Sequence, residues 1–134
     1  MSDTRKDEAI AMVERFMLAS MKGDRAVTDE LMSPDIDVTF VGGQKLGKPE
    51  EIRTVNSRRY RNVAKSIERY DVTFHDDEIV VYSIGTLFGE WLDGEPFEGD
   101  RYIDRFAIKG GKIIKMDVWN DSAERLLERA GIAS

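Results

Sequence analysis

Residues 79–92 read Ile79-Val80-Val81-Tyr82-Ser83-Ile84-Gly85-Thr86-Leu87-Phe88-Gly89-Glu90-Trp91-Leu92. A period of two puts Val81, Ser83, Gly85, Leu87 and Gly89 on one face and Val80, Tyr82, Ile84, Thr86 and Phe88 on the other. Both faces are largely apolar, whereas a strand with one wetted side alternates apolar with polar residues. The strand is therefore covered on both sides. Helices of the same chain can cover only one of them. A second copy of the chain is the simplest cover for the other, which predicts a homodimer through the outer sheet face.

Reading outward from that strand, Asp93-Gly94 is a hairpin signal, and a strand follows over Arg101–Ile108. Gly110-Gly111 turns the chain into Lys112–Asn120, and Tyr70–Phe74 precedes the long strand. Toward the N-terminus the period changes to three and four. Ala9, Met12, Val13, Phe16 and Ser20 make an amphipathic helix of Arg5–Met21. Asp24 caps a short helix that ends at Leu31, before Pro34, and Ile36–Val41 reads as a strand. Pro49, Glu50 and Glu51 open a third helix, whose inward face is predicted as Ile52, Val55, Asn56, Arg59, Tyr60 and Val63. Asp121 with Glu124 reads as the cap of a short terminal helix. Three helices against a curved antiparallel meander, with a helical tail, make an α+β layer.

Composition removes much chemistry. A chain of 134 residues has the length of one domain, 1–134, and folding at that size buries roughly two-thirds of the available surface. With no Cys and one His, thiolate chemistry and histidine-rich metal sites are excluded, so neither metal nor cofactor is expected. A net charge of −6 argues against nucleic acid as partner. The longest apolar runs fall well short of the ~20 residues that span a bilayer, so no membrane is expected. The lack of Cys fits a cytoplasmic location.

The order of elements resembles the nuclear-transport-factor-2-like fold, which includes ketosteroid isomerases and SnoaL-like polyketide cyclases. The resemblance runs from the first helix through Gly110-Gly111-Lys112-Ile113-Ile114 to Val118-Trp119-Asn120-Asp121. It implies one SnoaL-like domain, a cone-shaped, cystatin-like α+β barrel whose interior is a ligand pocket and which is commonly dimeric. Tyr102-Ile103-Asp104-Arg105-Phe106 is similar to the Pro-Ile-Asp-His-Phe segment of ketosteroid isomerases. In those enzymes the Asp is a neutral hydrogen-bond donor to the developing enolate. The resemblance implies that role for Asp104 alone. The isomerase tyrosine falls at Phe16 and its general base at Phe40, so the steroid isomerase set is incomplete. The Asp–Arg–Asp set of limonene epoxide hydrolases falls at Leu87, Gly85 and Val118 and is missing altogether.

The residues themselves predict a pocket. Tyr102, Asp104 and Phe106 share a strand face, and Met116, Val118 and Asn120 share the matching face of the last strand. Asn56, Arg59 and Tyr60 face them from the third helix, and the small Ser83, Gly85 and Gly89 are expected to leave room. Asp104 has two readings: an acid or base for a hydrophobic substrate, or a structural ion-pair partner of Arg59. His75 beside Asp76 and Asp77 reads as a solvated turn, and Arg58, Arg59 and Arg61 as a solvated helix face. Two functions fit. One is a cofactor-independent isomerase, cyclase or dehydratase acting on a hydrophobic carbonyl compound. The other is a non-catalytic ligand-binding or protein-interaction domain on the same fold.

Overall fold

The computed structural model describes residues 2–132. Helix α1 (Ser2–Lys22) leads into α2 (Arg25–Leu31), where the Asp24 carboxylate accepts from the Val27 amide as an N-cap should. Strand β1 (Met32–Thr39) starts ahead of Pro34, earlier than predicted. Its register against the last strand slips between Met32 and Asp37, and an irregular stretch of that kind tolerates a proline. A 3₁₀ turn (Val41–Gly43), a short β2 (Lys45–Leu46) and helix α3 (Glu51–Asn56) follow. The remainder is β3 (Tyr60–Phe74), β4 (Ile79–Trp91), β5 (Pro96–Lys109), β6 (Lys112–Asn120) and α4 (Ser122–Arg129).

The third helix is shorter than its sequence pattern suggests. It stops at Asn56, and Ser57 Oγ donates to the Thr54 carbonyl, so a hydroxyl competes with the helical ladder there. Arg59, Tyr60 and Val63 therefore do not lie on a helix. The chain turns and runs as β3 along the whole of β4, from Tyr60 opposite Trp91 to Phe74 opposite Ile79.

The strands form one sheet in the order β2-β1-β6-β5-β4-β3. It is antiparallel except where β1 runs parallel to β6, and its edges do not meet, so the cone stays open. Helix α1 lies over the concave face. Its Val13 and Phe16 are fully buried, and Phe16 meets Phe106 edge to face at 6.0 Å between ring centroids. Ile36, Val38, Val81 and Ile113 complete this core at the narrow end. A second cluster of Tyr60, Leu87, Trp91, Phe97 and Tyr102 fills the other end under α4.

Gly85 and Gly89 do not serve the purpose expected of them. A Cβ on Gly85 would lie 2.1 Å from the Ser66 carbonyl oxygen, and one on Gly89 2.2 Å from that of Asn62. Both face irregularities in β3, where the register slips between Ile67 and Arg69 and between Tyr60 and Asn62. Bulges bend a strand. These glycines admit the bent backbone of β3 and so give the sheet its curvature; they do not line the cavity. Gly85→Ala is expected to destabilise the fold by about 3 kcal/mol, because backbone on both sides must move apart. Denaturant unfolding measures this, and a loss below about 1 kcal/mol contradicts it.

On the convex face Phe88, Ile103 and Trp119 are exposed at 45%, 40% and 54%. Ile84 pairs with Ile103 and Ile103 with Trp119, so three apolar side chains stand in a row across β4, β5 and β6.

Candidate functional site

A cavity of about 390 Å³ opens between α1, α3 and the concave face of the sheet. Its depth is apolar: Phe16 and Met17 from α1, Phe40 after β1, Leu87 from β4, and Met116 and Val118 from β6. Tyr102, Asp104, Asn56 and Asn120 also line it, and so does Tyr60, from β3 rather than from the third helix. Two predicted residues do not. Phe106 has no exposure and packs against Phe16 in the core. Arg59 lies outside the lining, with its guanidinium 5.7 Å from the Phe40 ring centroid.

Asp104 is 1% exposed, and its partner is Lys65 rather than Arg59. Lys65 Nζ donates to Asp104 Oδ2 at 2.5 Å and lies 5.1 Å above the centre of the Tyr102 ring. Lys65 sits opposite Leu87 and reaches across β4, whose inner face there carries Gly85 and Ser83, to Asp104 on β5. The other oxygen, Oδ1, is buried with no hydrogen-bond partner. Buried polar atoms are nearly always partnered, and the residue that carries this one is among those lining the cavity.

The two tyrosines are held as walls. The Tyr102 hydroxyl shares a 2.9 Å hydrogen bond with Ser83, and the Tyr60 hydroxyl shares one with Ser122. Burial pushes both phenols above their ordinary range, so both stay protonated near neutral pH. Tyr60 also stacks on Trp91 and Phe97, each at 5.3 Å. Asp121 is the N-cap residue of α4, as expected, and its carbonyl accepts from the Arg125 amide, while Asn120 Oδ1 accepts from the Ser122 amide. The Asp121 carboxylate pairs instead with Arg101, which holds it below the usual carboxylate range.

The sequence reading missed Lys65 and Asp100. Extending the third helix to Val63 hid Lys65. The available signal was strand length: a long strand beside Tyr70–Phe74 alone would leave most of its backbone groups unpaired on that side. Asp100 lies on the same inner face as Asp104 and is fully buried, 3.4 Å from Arg125 Nε of α4. Burial pushes its carboxyl up, opposed by Arg125. It lies outside the cavity and belongs to the seat of α4. His75 is an exposed turn residue whose amide donates to the Glu78 carbonyl. Among the described residues no three His, Cys, Asp or Glu side chains gather as a metal site.

Solved structures place this architecture. The chain is similar to an NTF2-like protein of unknown function from Burkholderia pseudomallei K96243, at 16% identity and a TM-score of 0.68 over 87% of this chain and 93% of that one. A protein labelled a SnoaL-like polyketide cyclase from Jannaschia sp. CCS1 matches at 20% identity and 0.65, covering 88% of each chain. One labelled a ketosteroid isomerase from Shewanella frigidimarina NCIMB 400 matches at 15% and 0.64, over 81% of this chain and 91% of that one. No protein-family model and no curated protein matches the sequence. The chain has the nuclear-transport-factor-2-like, cystatin-like α+β fold. No helix among the described residues is long and apolar enough to cross a membrane.

Proposed function

We propose that the cone binds a hydrophobic carbonyl compound and that Asp104 and Lys65 move a proton on it. The observation that carries this reading is a buried carboxylate, paired with Lys65 through one oxygen and unpartnered at the other, on a residue that lines a largely apolar cavity. An apolar pocket with a few convergent polar groups is the usual form of a small-molecule site. Asp104 takes a proton from the carbon next to the carbonyl, and the Lys65 ammonium donates a hydrogen bond to the developing enolate oxygen. Returning the proton at another carbon is isomerisation, loss of a β-oxygen is dehydration, and attack of the enolate within the same molecule is cyclisation. The neighbours labelled cyclase and ketosteroid isomerase support this class of substrate. Phe16 and Phe40 line the cavity at positions that resemblance to the isomerases gives to other catalytic groups. A steroid isomerase mechanism is therefore not proposed. Exchange of α-protons for deuterium in a panel of apolar ketones, followed by proton NMR, tests the reading. Exchange above the buffer rate supports it. Binding without exchange supports the non-catalytic reading instead.

The convex face supports a homodimer, because Ile84, Ile103 and Trp119 form a row that a second copy would cover. Ile84→Asp should convert the dimer to a monomer or an aggregate, since an interface core does not hold an unpaired charge cheaply. Sedimentation reads this, and a wild-type monomer at micromolar concentration contradicts it. A cytoplasmic location goes with this reading, supported by the absence of Cys.

A further inference from the structure

The chain is acidic overall, at −6, yet the cavity lining carries Arg53, Arg61 and Lys65 against one carboxylate, Asp104. Lys65 is taken by Asp104 in the interior. Arg53 and Arg61 are exposed, one on α3 and one at the start of β3, and with exposed Met21, Ser57 and Asn62 they form the rim. Among the described residues neither arginine has a carboxylate within ion-pair distance, whereas ten other basic side chains do. Arg59, between them in sequence, also lacks an acidic partner, and its buried Nη1 has no hydrogen bond.

Unpaired positive charge concentrated at the mouth of a low-dielectric cavity attracts anions, and a planar guanidinium matches a carboxylate with two parallel hydrogen bonds. We infer that the cavity takes an amphipathic ligand whose apolar, carbonyl-bearing body fills the interior and whose carboxylate sits at the rim between Arg53 and Arg61. This rests on the reading of the cone as a ligand site and adds the ligand's charge and orientation. The carboxylate stays in water at the rim while the reactive carbon is carried inward to Asp104.

The test compares 2-naphthoate with 2-naphthamide, which share a body and differ in head-group charge, by calorimetric titration. Wild-type protein should bind the carboxylate about tenfold more tightly than the amide at low ionic strength, the scale of two partly exposed charge pairs. The ratio should shrink as salt rises. Arg53→Gln/Arg61→Gln should abolish the ratio by weakening the carboxylate to the affinity of the amide. Equal affinity for the two probes in wild type overturns the inference while leaving the cavity a ligand site. A ratio that survives the double variant and vanishes in Lys65→Met overturns it too, because the head group then lies at the bottom. Failure of both probes to bind removes the ligand-site reading and the inference together.

Discussion

Asp104→Asn is expected to lower protein-dependent α-proton exchange in a bound ketone by about 10²-fold or more, the usual scale for loss of a general base. The amide keeps the shape of the carboxylate, and its oxygen still accepts from Lys65, so the cavity and the affinity should be preserved. What the amide lacks is the capacity to take a proton. The decisive comparison is therefore exchange rate against ligand affinity in the same variant. A fall in both, in proportion to the fraction of folded protein, gives Asp104 a structural role. A fall in rate alone gives it the chemistry.

Lys65→Met should be strongly destabilising at neutral pH. It leaves Asp104, 1% exposed, with no cation beside it. Removing one member of a buried ion pair costs about 3–5 kcal/mol, and the lower end applies here because Lys65 keeps partial contact with water. Acidification should restore part of the loss, since protonation removes the unpaired charge. Lys65→Met/Asp104→Leu should recover most of the wild-type stability, because an apolar replacement of both partners leaves nothing unpaired. Chemical denaturation of the three proteins at two pH values reads all of this. A single variant as stable as wild type at neutral pH would deny the pair its structural weight.

Local chemistry made much of this fold legible. Asp93-Gly94 and Gly110-Gly111 mark turns through residues that accept positive φ, and both glycines of the second pair adopt it, at 59° and 74°. Lys112–Asn120 was readable to the residue because polar turns bound it on both sides. Alternation put Asp104 on one face with Tyr102 and Phe106, and the resemblance to the isomerase segment implied that this face points inward. What was not legible depended on long-range pairing. Tyr60 and Val63 extend the helical period of Ile52 and Val55, and only the need of β4 for a partner along its whole length makes the chain from Tyr60 onward a strand. Once that stretch is a strand, Lys65 faces inward and displaces Arg59 as partner of Asp104. The glycines misled for a related reason. A missing side chain signals space, and only the bulged neighbouring strand shows that backbone already fills it.

A crystal structure with an apolar ketone bound addresses the central claim most directly. The account predicts the ketone inside the cone, its carbonyl oxygen within hydrogen-bond distance of Lys65 Nζ and its α-carbon against the free Oδ1 of Asp104. A ketone bound with its carbonyl at the rim and only apolar carbon near Asp104, or an interior filled by protein side chains, would contradict it.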